Sequence, residues 1–188
     1  MKILIFSIAL STLFFAACNN GTTKNQSSEE PSSAANNQEA PAATVNPAGE
    51  LVNNYLQLKD ALTKDNDKDA ATAGNEMVKA FNNFDKASLT PEQAKVYNDI
   101  EEDAKEHAEH IGANAGNIEH QREHFETLSE EMYELVKSVG AGRKLYYTHC
   151  PMYNKNKGAD WLSQTKEIQN PYLGKAMSTC GTVKEELN

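Results

Sequence analysis

Residues 88–142 read SLTPEQAKVYNDIEEDAKEHAEHIGANAGNIEHQREHFETLSEEMYELVKSVGAG and decide the fold class. Thr90 and Gln93 have the spacing of a capping box, and Pro91 suits the first turn of a helix. Apolar residues then recur at helical spacing on both sides of a break at 114–117. The stretch therefore predicts two amphipathic helices joined by a short turn.

The same periodicity extends toward the N-terminus and predicts four helices in total. We expect these helices over residues 48–64, 67–86, 91–113 and 118–139. The polar residues around Asn66 provide a turn and an N-cap, and the glycines at 140–142 provide a C-terminal stop. Amphipathic helices with short joins predict an all-α protein built as an up-down four-helix bundle.

The pattern changes after the helices. Residues 145–148 favour a short strand, because they are rich in aromatic and β-branched side chains. Residues 178–186 are compatible with a second strand or with a frayed helix. We expect a small C-terminal loop or two-stranded appendage that brings Cys150 and Cys180 close together.

The N-terminus has the pattern of an export signal. Residues 1–17 carry one positive charge, a short apolar run and small residues directly before Cys18. We interpret 1–17 as a lipoprotein signal peptide, Cys18 as the lipidated residue, and 18–47 as a lipidated cysteine followed by a disordered tether. The domain then spans 48–188. An ordinary secreted protein or an uncleaved anchor is the alternative.

This leader predicts a lipid-anchored protein of the bacterial cell envelope, on the periplasmic side of the outer membrane. The chain has 188 residues and a formal net charge of −9 at pH 7. Its basic residues are interspersed with acidic ones and form no stripe with aromatic residues, which argues against nucleic acid as a partner. We expect membrane contact through the lipid anchor alone.

The C-terminal region concentrates sulfur. Cys150 and Met152 lie close together, as do Met177 and Cys180, and His149 adjoins the first pair. Thiolates and thioethers prefer Cu(I) and other soft ions. The alternative is a Cys150–Cys180 disulfide with the methionines in the core, because two cysteines in an exported domain commonly pair.

A second candidate metal group lies on the predicted helices. His107 and His110 stand near the end of the third helix, and His120 and His124 stand near the start of the fourth. Spacings of three and four residues put side chains on neighbouring faces of a helix. The alternative is a core histidine at position 107 and a solvated, mixed-charge face for the others.

We expect no enzymatic activity and no catalytic residues. The chain has no serine nucleophile elbow, no Gly-rich phosphate loop and no HExxH motif. His149 and Cys150 are adjacent in sequence, and neighbours on a strand point apart, which argues against a hydrolytic Cys–His pair. Paired carboxylates such as Glu101 and Glu102 are expected on solvated helix faces.

Several segments together resemble the bacterial domain-of-unknown-function family 3347. They read IEHQREHFETLSEEMYELVK, LYYTHCPM, GADWLS, IQNPYLG and MSTCG. The resemblance covers residues 48–187. It implies an envelope protein of the kind that also forms the C-terminal domain of heavy-metal efflux adaptors, and so implies heavy-metal efflux components as partners.

A shorter resemblance concerns small heavy-metal-binding modules with a Tyr-x-Cys-Pro-Met-His-Pro core. Cys150, Pro151 and Met152 keep the Cys-Pro-Met part, which implies Cys150 and Met152 as ligands. An extra residue precedes the cysteine, and Tyr153 replaces the histidine of the motif.

Together these observations predict an envelope protein that binds a heavy metal, with a copper ion, Cu(I), as its cofactor. It would buffer the ion or pass it to efflux components, and Trp161 would shield the site from water. The competing prediction is an interaction module, stabilised by a Cys150–Cys180 disulfide, that docks on an envelope partner.

Overall fold

The computed structural model describes residues 46–188, which are mostly helical and end in a small antiparallel sheet. The long helices are α1 (Gly49–Thr63), α2 (Asp67–Asn82), α3 (Pro91–Ala113) and α4 (Ile118–Val139). The strands are β1 (Leu145–Cys150), β2 (Ala159–Ser163) and β3 (Thr182–Leu187), and a single turn, α5 (Tyr153–Asn156), joins β1 to β2. The predicted signal peptide, Cys18 and most of the predicted tether lie outside the described residues.

The predicted helix starts are confirmed by their caps. The Thr90 hydroxyl accepts a hydrogen bond from the Gln93 N–H, and the Gln93 side chain accepts one from the Thr90 N–H. The Asn66 side chain caps α2 by accepting from the Asp69 N–H. The predicted end of α2 is wrong: the helix stops at Asn82, because a 3-10 turn follows in which the Asp85 carboxylate accepts from the Ala87 N–H.

The prediction of two strands is wrong, because the sheet has three strands in the order β2-β1-β3. The sequence of β2, ADWLS, has one residue that favours strands, Trp161, and no β-branched residue, so propensity alone does not predict a strand here. It becomes a strand by pairing antiparallel with β1, which places Trp161 opposite Thr148. Residues 182–187 form β3, which resolves the choice between strand and frayed helix at the C-terminus.

Consecutive long helices pack against each other, and β2 packs against α4. The crossing of α2 and α3 is close at Gly74, where a Cβ atom would lie 2.9 Å from the Ala108 carbonyl oxygen. The buried apolar residues of the helices and the sheet form one cluster. Among residues 46–188, no helix is long and apolar enough to cross a membrane.

One buried hydroxyl joins the helices to the sheet. The Tyr55 oxygen of α1 lies 2.8 Å from the Ser129 hydroxyl of α4 and accepts a hydrogen bond of 3.0 Å from the Leu162 N–H of β2. Tyr55 is fully buried, and burial raises the pKa of its phenol well above the ordinary value. The hydroxyl therefore stays neutral and connects three elements inside the core.

Replacing Tyr55 with Phe should destabilise the protein by about 1–3 kcal/mol, because the buried Leu162 N–H and the Ser129 hydroxyl would lose a partner. Urea denaturation of the full chain measures the free energy of unfolding. Tyr133→Phe is the matched control, since the Tyr133 hydroxyl bonds Glu185 close to solvent and should contribute less. If the two variants lost the same free energy of unfolding, the buried Tyr55 hydroxyl would not stabilise the fold more than the Tyr133 hydroxyl does.

Candidate metal-binding sites

The two cysteines of the C-terminal region lie together. Cys150 is fully buried at the end of β1, and Cys180 is partly exposed in the turn before β3. Both are free thiols, and their Sγ atoms are 2.9 Å apart. The prediction that this region brings them close is confirmed. At this separation the two thiols are in contact. They can be oxidised to a disulfide by closing to about 2.05 Å, or they can bind one metal ion by moving apart to allow two metal–sulfur bonds of about 2.3 Å.

Asn170 holds the turn that carries Cys180. Its side-chain amide donates a hydrogen bond of 2.7 Å to the Cys180 carbonyl, and its Oδ1 accepts from the backbone N–H groups of Tyr172 and Leu173 at 2.8 and 2.9 Å. Asn170 is fully buried, so these bonds are shielded from water. The contact of Asn170 with the cysteine turn was not predicted from the sequence, because it joins residues ten positions apart through a buried side chain.

Gly181 allows the cysteine turn to lie against the indole of Trp161. A Cβ atom at position 181 would lie 2.8 Å from Trp161 Cη2 and 3.0 Å from the His149 carbonyl oxygen. The backbone φ of Gly181 is +149°, which residues with a side chain rarely adopt. A larger residue here would displace Cys180 or the indole. Trp161 is fully buried, so the cysteine turn packs against a side chain of the core.

Met152 and Met177 are the large apolar side chains that are exposed among the described residues, at 49% and 40% of their maximum. The alternative that these two methionines belong to the core is therefore wrong. The backbone of Met152 lowers the pKa of the Cys180 thiol, so its N–H lies beside that sulfur. The Cys180 N–H in turn donates to the Met177 carbonyl at 3.1 Å. The backbones of both exposed methionines thus lie next to Cys180.

The pKa of the Cys180 thiol is raised, first by its hydrogen bond with Cys150 and then by burial. Cys180 therefore keeps its proton at neutral pH when no ion is bound. Since the thiolate is the form that coordinates metals, an ion must displace this proton.

His149 has different partners from those predicted. It is adjacent to Cys150 on β1, so their side chains leave opposite faces of the sheet. Its Nδ1 lies 2.8 Å from the Asp160 carboxylate, which is also 3.4 Å from the Lys184 ammonium group. This placement corrects the prediction that groups His149 with the sulfur ligands.

The four helix histidines, by contrast, form one histidine cluster: His107, His110, His120 and His124. His107 Nδ1 lies 2.9 Å from His124 Nδ1, and His124 Nε2 lies 3.1 Å from His120 Nε2. The ring of His110 stacks on that of His124, with centroids 4.3 Å apart. Three members, His110, His120 and His124, each offer a ligand atom within 4.8 Å of the others.

Burial is the main reason why the pKa values of His107 and His124 are lowered, that of His124 to about 4. The neighbouring imidazoles of the cluster lower the pKa of His124 further. Both rings are therefore neutral at pH 7, and a neutral imidazole has a lone pair for hydrogen bonding or for a metal ion. Metal binding by the cluster stays a prediction.

Acidification should lower the free energy of unfolding, because protonation of His124 favours the unfolded state. Its folded-state pKa is about 4 against an ordinary value of 6.5, so the unfolded state binds more protons between these two values. The stability that depends on the neutral His124 ring is fully present above pH 6.5. It is lost progressively as the pH falls from 6.5 through 4. With a chelator present, wild type should lose on the order of 1 kcal/mol more than His124→Gln across this window, allowing for screening of a partly exposed ring. Urea denaturation across the window measures this difference, and parallel stability curves would contradict it.

Comparison with known proteins matches residues 51–144 to the model of the family described as "Protein of unknown function (DUF3347)". No curated protein and no solved structure matches the chain. The matched residues contain the histidine cluster and end before Cys150, so the sulfur region lies outside them. With half of its length matched, the chain belongs to the DUF3347 family.

Proposed function

We propose that this protein binds Cu(I) in the bacterial envelope and buffers the ion or passes it to efflux components. One observation carries the proposal: the two thiols are 2.9 Å apart, and Met152 and Met177, which lie next to this turn, have exposed side chains. A set of two thiols and two thioethers suits a soft, monovalent ion.

The burial of each group suggests its role. Cys150 is enclosed and would hold the ion as a thiolate, while the partly exposed Cys180 would complete the site. Met152 and Met177 would provide neutral donors at the surface, where an incoming or departing ion first meets the protein. Neutral donors keep the net charge of the site low, which favours release to an acceptor.

The helices would serve as the scaffold, in our proposal an up-down four-helix bundle. The packing of consecutive helices supports this arrangement, and β2 on α4 attaches the sulfur region to it. The envelope location and the lipid on Cys18 are supported by the leader sequence. Efflux components as partners are supported by the family resemblance of the sequence motifs.

The same sulfur separation also supports the second candidate, an interaction module with a Cys150–Cys180 disulfide that docks on an envelope partner. Such a bond would close a loop of about 30 residues and stabilise the fold by roughly 3–4 kcal/mol in the chain-entropy model. A dithiol that binds Cu(I) when reduced and forms a disulfide when empty would combine both properties.

The test is an anaerobic titration of the reduced full chain with Cu(I) against a chromogenic Cu(I) chelator. We expect one tightly bound ion, with affinity that rises with pH because binding displaces the Cys180 proton. Cys150→Ser should abolish competition with the chelator. Met152→Leu should weaken binding by about tenfold, since it removes one donor and keeps the side-chain volume.

Two matched controls separate the site from other effects. Met77→Leu changes a fully buried thioether of α2, and His149→Gln changes a neighbour that faces away from the sulfurs. Neither should alter Cu(I) affinity. Failure of the reduced protein to compete for Cu(I) would overturn the proposal, and a disulfide that survives mild reductant would favour the interaction module.

A further inference from the structure

We propose that the histidine cluster is a second metal site, separate from the sulfur region, that takes a borderline divalent ion such as Zn(II) or Cu(II). His110, His120 and His124 would bind the ion, and His107 would position His124. Imidazole nitrogens suit such ions, whereas Cu(I) prefers sulfur. None of these residues belongs to the proposed Cu(I) site, so each site can be tested alone.

The hydrogen bonds of the cluster run in one direction. His120 Nδ1 lies 3.3 Å from the Glu123 carboxylate, and a carboxylate can only accept, so His120 Nδ1 carries the proton. With its proton on Nδ1, His120 presents the lone pair of Nε2, and His124 Nε2–H donates to it at 3.1 Å. His124 Nδ1 is left as an acceptor and receives the His107 Nδ1–H at 2.9 Å.

This arrangement places a single proton between the two nitrogens that would bind the ion, Nε2 of His124 and Nε2 of His120. An ion would take the place of that proton, which leaves to solvent. His124 would take the proton from His107 Nδ1, and His107 would regain one from solvent at Nε2. The number of protons on the cluster is therefore unchanged.

In the metal-bound state His124 Nδ1–H would donate to His107. A histidine ligand commonly donates its second N–H to a neighbouring group, which fixes the ring orientation and its tautomer. His107 is therefore a positioning residue. It lies on α3 and His124 on α4, so their hydrogen bond also fixes the two ends of the helical hairpin against each other.

The site is accessible and its surroundings favour cations. The side chains of His110 and His120 are 45% and 34% exposed, so an ion can enter from solvent. Glu106 lies 3.6 Å from His110, and Glu123 lies beside His120. These carboxylates raise the local concentration of cations. Three imidazole ligands also leave a fourth position open in a tetrahedral site.

Nitrogen-15 NMR of the histidine rings tests this assignment in the full-length wild-type protein titrated with Zn(II) alone. We expect ring nitrogen signals of His110, His120 and His124 to move together with one equivalent of ion. The signals of His107 and His124 should also show the change of tautomer, in which the proton on His107 Nδ1 moves to His124 Nδ1. His149, which lies outside the cluster and bonds Asp160, is the internal control and should not move.

Competition with a Zn(II) chelator gives the affinities. His110→Gln and His124→Gln should each weaken Zn(II) binding by at least about tenfold, and His149→Gln should leave it unchanged. The exposed position of His110 makes that variant safe for the fold. Unmoved ring nitrogens in the cluster, or equal Zn(II) affinity in all three variants, would overturn the proposal, whatever the outcome of the Cu(I) titration.

Discussion

The hydroxyl of Tyr55 is the contact on which the arrangement of the sheet depends. It connects α1 to Ser129 of α4 and to the backbone of Leu162 in β2, and all three residues are fully buried, which strengthens these bonds. β2 in turn pairs with β1 and sets Cys150 opposite Ala159. The location of the first cysteine thus follows from a polar contact formed by the first helix.

The second cysteine is placed by a different set of constraints. Asn170 binds the Cys180 carbonyl, and Gly181 lets the same turn lie against Trp161. The pairing of His149 with Thr182 then carries the chain from this turn into β3. Two thiols that are 30 positions apart in sequence meet because helix packing fixes one and a buried turn fixes the other.

The helices were predictable and the neighbours of individual side chains were less so. Caps such as Thr90 and Asn66 are local, so the sequence alone locates helix starts. β2 and the Asn170 contacts depend on partners distant in sequence, and propensity carries no such information. The four histidines could be grouped from their spacing around a short turn. His149 was grouped with the sulfur ligands for its proximity in sequence, although the alternation of side chains along a strand already separates it from Cys150.

In our proposal, sulfur atoms of the C-terminal region hold Cu(I). X-ray absorption at the copper edge, measured on the full-length reduced protein with one equivalent of Cu(I), identifies the atoms bound to the ion. We expect a first coordination shell made of sulfur atoms, which Cys150→Ser alters. A shell dominated by nitrogen or oxygen, unchanged in that variant, would contradict it.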